Sequence, residues 1–241
     1  MAFNIQNSRP MLQFPFGINV QKGLVENYTA VGTFGYNDSV SSTFETITGV
    51  GGLYVYPTAA STATVTSSNT ASDNNGTVLV EGLDSNYDLA SETLTIGGGA
   101  GTTSFIRVFS ARMITANTGD ANVGNLTVTV DSKTVAYIQA TYGSALNANY
   151  TIPRNKRGFI MSAFAGVSKQ KELEAKIMVK QISNGNVWNT VGYQTTFATP
   201  VYQEFVIPIK IEEKTDIEIR AKTDATTAVS GGFTLYLEDY K

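Results

Sequence analysis

Apolar and polar residues alternate with a period of two along most of this chain. TVLVEGL (77–83), SETLTI (91–96), NLTVTV (125–130) and TVAYIQA (134–140) place every second apolar side chain on one face. That is the pattern of a half-buried β-strand. The runs are punctuated by Gly, Asn, Asp and Ser, the residues of tight turns, as in LDSNYD (83–88) and TANTGDANVGN (115–125). TTSFIRVFSARMI (102–114) carries apolar residues on both faces, with Phe105, Phe109 and Ala111 on one and Ile106 and Val108 on the other. It predicts a central strand covered on both sides, with Arg107 near a rim. KELEAKIMVKQI (171–182) is rich in helix formers. Leu173, Ala175, Ile177 and Val179 nevertheless recur every second residue, and the period decides for a strand. The alternation test yields roughly ten to twelve strands spaced by turns, which predicts an all-β, antiparallel β-sandwich of jelly-roll-like type.

The N-terminal stretch reads differently. Pro10 and Pro15 interrupt a run of large apolar residues, and proline neither continues a helix nor donates to a central ladder. Met11, Leu12, Phe14 and Phe16 therefore need apolar cover from elsewhere, and they are the predicted assembly contacts. The expected organisation is an extended N-terminal arm over residues 1–40 and a β-sandwich over 41–241. The glycine-rich GGGAG at 97–101 offers the alternative of a subdivision.

Composition narrows the chemistry. The 241 residues contain neither Cys nor His. Disulfides, thiolate nucleophiles, the Ser-His-Asp triad and the usual zinc ligands are excluded together. Only 15% of residues are charged and the formal net charge is −3, so no basic stripe suggests nucleic acid. No apolar window approaches the roughly 18 residues of a spanning helix. The start, MAFNIQNSRPMLQF, lacks the basic and apolar regions of a secretory signal. The Asn-x-Ser/Thr sequons at Asn27, Asn37, Asn75, Asn125 and Asn149 then read as products of composition.

The remaining candidates are clusters of oxygen and aromatic side chains. Glu81, Asp84 and Asp88, and likewise Asp120, Asn122 and Asn125, have the oxygen density of a calcium loop but not its EF-hand spacing. Turn formation explains them better, so no metal and no cofactor is expected. Glu212, Glu213, Asp216 and Glu218 are interleaved with Lys210, Lys214, Arg220 and Lys222. They read as a solvated, self-neutralising strand surface rather than the opposed pair of a glycosidase. Arg154, Lys156 and Arg157 form a basic turn. Tyr54, Tyr56, Tyr87, Tyr142 and Tyr150 fall at strand ends or loops, where they suit packing, an interface or a sugar. No catalytic constellation emerges, and a non-enzymatic protein is expected.

From residue 77 onward the chain also resembles a known family. TVLVEGLDSNYDLASETLTIGG, then TSFIRVFSARMITANTGDANVGNLTV, then PIKIEEKTDIEIRAK and the closing GGFTLYLEDY are similar to segments of virion structural proteins of tailed bacteriophages, marine ones in particular. GGGAG departs from the short Asn-Gly turn of that pattern and lengthens the hairpin. Residues before 77 lie outside the resemblance. It implies a structural component of a virion made in the host cytoplasm. An external head decoration or cement protein, or an appendage, is the expected role, with other virion proteins and copies of itself as partners in a homo-oligomer. The alternative is a tail or fibre module that recognises host surface glycan through loop residues such as Tyr87 and Tyr142. Neither reading requires nucleic acid or membrane.

Overall fold

The computed structural model describes residues 15–183 and 185–240. After a short helix α1 (Phe16–Gln21), the chain lays down β1 (Tyr28–Gly32), β2 (Gly35–Val40) and β3 (Glu45–Thr46). A middle stretch follows: β4 (Ser61–Ser67), a four-residue helix α2 (Thr70–Asp73), β5 (Thr77–Leu83), β6 (Leu89–Thr95), β7 (Ala100–Phe105), β8 (Arg107–Thr115), β9 (Leu126–Val130) and β10 (Lys133–Ile138). The last part holds β11 (Asn149–Thr151), β12 (Lys156–Val167), β13 (Glu172–Gln181), β14 (Trp188–Phe197), β15 (Val201–Ile211), β16 (Thr215–Thr223) and β17 (Thr227–Asp239).

These strands make two sandwiches, both all-antiparallel. In the first, one sheet runs β1-β17-β12-β15 with β2 also on β17. The facing sheet runs β11-β16-β13-β14 with β3 also on β16. Val40, Ile47, Ile160, Ile217, Ile219, Phe233 and Leu235 fill the space between them. In the second, β10-β9-β4-β7 faces β6-β5-β8 around Val65, Val78, Val80, Phe105, Leu126, Val128 and Ile138. The second sandwich is thus inserted between β3 and β11 of the first. Each core follows the sequence alternation: Leu126, Val128 and Val130 of β9 are buried while Thr127 and Thr129 are not.

The predicted all-β sandwich is what the chain forms, and the strand assignment of 172–181 holds. Other expectations change. Residues 28–40 are not an arm. β1 and β2 run end to end along one side of β17, pairing Tyr28–Gly32 with Glu238–Thr234 and Tyr36 with Ser230, and Val40 enters the core. Residues 16–21 are helical, with Pro15 as the N-cap whose carbonyl accepts from Ile18 N–H and Asn19 N–H. Met11, Leu12 and Phe14 lie outside the described residues. The division does not fall at 97–101 either. Leu94 and Ile96 before those glycines and Phe105 after them share the inserted core, and Gly97 and Gly99 adopt positive φ in a turn between β6 and β7. The long run 102–114 is two strands rather than one. The chain switches sheets at Ile106, so β7 and β8 present apolar residues to the same core from opposite sides.

Candidate functional site

The two sandwiches meet through a buried polar junction. Strand β16 alternates normally: Ile217 and Ile219 face the first core, and Asp216, Glu218 and Arg220 face outward. The outward face is not solvated, however, because the inserted sandwich covers it. Asp216 and Glu218 are both 0% exposed and Arg107 is 6% exposed. This corrects the expected solvated surface at Asp216 and Glu218, and the expected rim position of Arg107, while Glu212 does pair with Lys210 at the surface. Arg107 grips Asp216 in a two-pronged pair, Nε to Oδ1 at 2.8 Å and Nη2 to Oδ2 at 3.1 Å. Its Nη1 donates to the carbonyls of Pro57 and Ile106. Thr151 Oγ1 donates to Asp216 at 2.7 Å, and Lys180 Nζ stands 3.2 Å from its other oxygen. Glu218 accepts from the Tyr56 hydroxyl at 3.1 Å and from Arg220 Nε.

Aromatic rings close the junction. Tyr56 lies under Arg107 and Lys180, and Trp188 under Lys180 and Arg220, at 4.6–5.0 Å from ring centroid to cation. Burial pushes the Glu218 carboxyl above its usual range against the pull of Arg220. Burial and the neighbouring Glu218 likewise raise the Tyr56 hydroxyl. Neither carboxylate lines the cleft described below. With its acceptors taken by protein donors, the network has the form of a clamp between sandwiches.

The candidate interaction site lies at one edge of the first sandwich. Strands β14 and β15 are the edge strands of facing sheets, and the sandwich is open between them. A cleft of about 290 Å³ enters there, floored by Ala163, Ala165, Ala175, Ile177, Phe205 and Ile219. Three alanines where a core usually has larger residues leave this space. Gln194 Nε2 donates to Gln203 Oε1 across the mouth at 3.0 Å. Beside it β15 swells outward. Ile160 pairs with Ile209 and Ser162 with Glu204, so Met161 alone stands opposite Phe205, Val206, Ile207 and Pro208. Proline suits such a bulge because it has no N–H to pair. The swelling leaves Val206 97% and Ile207 85% exposed. Sheet edges are normally blunted by charge or cover, and an adjacent apolar pair left bare on one is a reason to look for a partner.

The predicted site residues are scattered. Phe16 is half exposed on α1, edge-on to Tyr28 and Tyr236 on the first sandwich. The two oxygen clusters serve the fold. Asp84 accepts from the N–H groups of Asn86 and Asp88, Glu81 accepts from Ser110, and Asp88 pairs with Arg154. Asn122, 1% exposed, donates to the carbonyls of Gly124 and Gln139 and accepts from Gly143 N–H. Among the described residues no group of His, Cys, Asp or Glu is arranged to hold a metal ion. Lys156 pairs with Asp239, and Arg157 lies over the Tyr240 ring. Tyr54 and Tyr150 are buried, whereas Tyr142 is half exposed. The open edge was missed because VYQEFVIPIKI reads as one more alternating strand. Its one signal was Pro208 inside a run of adjacent apolar residues. Among the described residues no helix is long and apolar enough to cross a membrane.

No family model matches the chain, and no curated protein matches it. Solved structures similar at low TM-score include two from unlike sources. One contains the CBM22-1 and GH10 modules of Clostridium thermocellum endo-1,4-β-D-xylanase 10B in complex with xylohexaose, with 8% identity and a TM-score of 0.24. That match covers 77% of this chain and 29% of the xylanase chain, so this chain spans less than a third of its length. The other is a structure of infectious bursal disease virus, Gt strain, with 11% identity, a TM-score of 0.23, and coverage of 93% of this chain and 78% of that one. At these scores neither likeness bears on what the chain does.

Proposed function

We propose that the chain is a structural protein of a tailed-phage virion, an external head component or appendage subunit that works by assembly rather than catalysis. The observation that carries the assembly part is the β15 bulge, which holds Val206 and Ile207 almost wholly in solvent on an unpaired sheet edge. Full burial of two such side chains contributes about 3–6 kcal/mol, a strong reason for a partner to cover them. The phage part is supported by the resemblance of residues 77–241. A particle presents many copies, so a modest contact at each edge is multiplied.

The test joins two measurements. Mass spectrometry of density-purified particles from the infected host is expected to find the chain. Sedimentation velocity of the purified chain is expected to show concentration-dependent self-association, which V206E/I207E abolishes without altering its unfolding midpoint. Absence from particles would overturn the virion reading. A monomer at all concentrations that also fails to bind particles, or a double variant that associates normally, would overturn the assigned edge.

A further inference from the structure

Strand β14 is an edge with nothing in its sequence to prevent pairing. It pairs with β13 on one side, and among the described residues no strand pairs with it on the other. Edges of this length are normally blunted by charge, proline or cover. No Asp, Glu, Lys or Arg occurs between Gln181 and Gln203, and β14 contains no proline. Its neighbours differ. β13 carries Glu172, Glu174, Lys176 and Lys180, and the edge strand β15 carries Glu204, Lys210 and Pro208. The one irregularity of β14 is at Val191, where its register against β13 shifts, and from Gly192 to Phe197 the ladder is regular.

That regular segment is complementary to itself. Tyr193, Thr195 and Phe197 stand opposite Lys176, Glu174 and Glu172, on the face turned away from the first core, and all three are exposed. Consider antiparallel pairing with a second copy about a two-fold axis through Thr195. Tyr193 then meets Phe197 of the second copy, Thr195 meets Thr195, and Phe197 meets Tyr193. Aromatic pairs and threonine pairs are favourable across strands, whereas like charges directly opposite repel. A two-fold contact requires this self-complementarity, and the lack of charge removes the repulsion. The same register sets residues 190 and 191 opposite 200 and 199 of the second copy. Gln194 meets Gln203 and β15 runs back from there, so the β15 bulge lies alongside 190–191. The second copy's turn at Thr199 and Pro200 then covers Val206 and Ile207.

We infer that two copies of the chain join β14 to β14 about a two-fold axis at Thr195, making one continuous sheet from two five-stranded ones. The inference rests on the assembly reading above and adds the partner, a second copy, and the register.

The chain lacks cysteine, so one introduced thiol reads the register. Opposed Cα atoms in an antiparallel pair are about 4.5–5.5 Å apart, a separation that a disulfide spans. T195C is expected to form a covalent dimer on mild oxidation. N189C is not, because equivalent positions separate by about 7 Å for each residue away from the axis. In sedimentation velocity T195K and T195E are each expected to self-associate at least about tenfold more weakly than the parent, with the unfolding midpoint unchanged. Their equimolar mixture is expected to regain the parent's association, since the charges across the axis are then opposite. Hydrogen exchange on the parent needs no variant: amides of 193–197 that point away from β13 are expected to slow as the dimer fraction rises. The pairing is overturned if T195K associates like the parent, if the mixture stays monomeric, or if T195C cross-links no better than N189C. Exchange at 193–197 that ignores dimerisation would overturn it as well. None of these results touches the assembly reading, which falls instead if V206E/I207E associates normally. A monomeric parent overturns the pairing, and the assembly reading with it only if that monomer also fails to bind particles.

Discussion

Replacing Asp216 tests whether the two sandwiches are clamped by a buried ion pair. In the Asp216→Leu variant Arg107 keeps only the carbonyls of Pro57 and Ile106. Its charge would sit 6% exposed with no anion bonded to it. Thr151 and Lys180 lose the same acceptor. Removing one partner of a buried pair costs about 3–5 kcal/mol, and Asp216→Leu is expected at the upper end because three donors are orphaned together. Arg107→Met is expected to cost less, about 2–3 kcal/mol, because Lys180 and Thr151 still hold the carboxylate. The double variant removes both charges and leaves Lys180 over the Tyr56 and Trp188 rings. It is expected within about 1–2 kcal/mol of the parent, since buried pairs replaced by apolar residues are often neutral. The measured coupling is then several kcal/mol and opposite in sign to the sum of the singles. Trp188 is the only tryptophan and sits in the junction, so its fluorescence in urea reports on this contact directly. The reasoning fails if Asp216→Leu costs under about 1 kcal/mol, the range of a surface change. It fails equally if the double variant is as unstable as the sum of the singles.

Two further outcomes follow from the same structure. A β-carbon at Gly35 would stand 2.1 Å from the Ile47 carbonyl oxygen and 2.5 Å from the Ala148 amide nitrogen. Both are backbone atoms that cannot rotate away, so Gly35→Ala is expected to cost about 3 kcal/mol or more. Gly51→Ala, in open space at φ +78°, is expected to cost only about 1 kcal/mol. Equal urea midpoints for the two would refute the close crossing of β2 over residues 47 and 148. The second outcome concerns pH. Burial raises Glu218 above the unfolded carboxylate value of about 4.3. A raised carboxyl contributes stability that is full below the unfolded value and is lost as pH rises through the folded one. The urea midpoint is therefore expected to be higher at pH 5 than at pH 8, and Glu218→Gln is expected to reduce that difference. A parent and variant with identical pH slopes would refute the assignment.

The strands were legible because their pattern is local. β9 and β13 could be read from alternation alone, and in β13 the period correctly outweighed the helix propensity of Glu, Lys and Ala. What the pattern could not carry is the identity of the cover over a strand's second face. TDIEIRAKT has one apolar face and one charged face, and a charged face reads as solvated because charges are almost never buried unless paired. The partner that buries Asp216 is Arg107, 109 residues away in sequence, inside a run whose two apolar faces looked like a single central strand. Each misreading hid the other. Had 102–114 been divided at Ile106, Arg107 would have begun a strand at the junction, and a paired anion would have been sought for it.

A related difficulty arises at β15, whose sequence reads only as one more strand of the set. A strand cannot bury two adjacent side chains on one face unless it bulges. Val206-Ile207-Pro208 is adjacent and apolar on an edge strand, and Pro208 has no N–H to give a ladder. The sequence thus held the anomaly but not its direction. A bulge turned inward would have filled the cleft over Ala163 and Ala165. This one turns outward, so that an empty cleft and an exposed Val206-Ile207 pair lie on the same edge. That cleft and that bare apolar pair on one unpaired edge are the physical reason to look for a second molecule there before looking for a reaction.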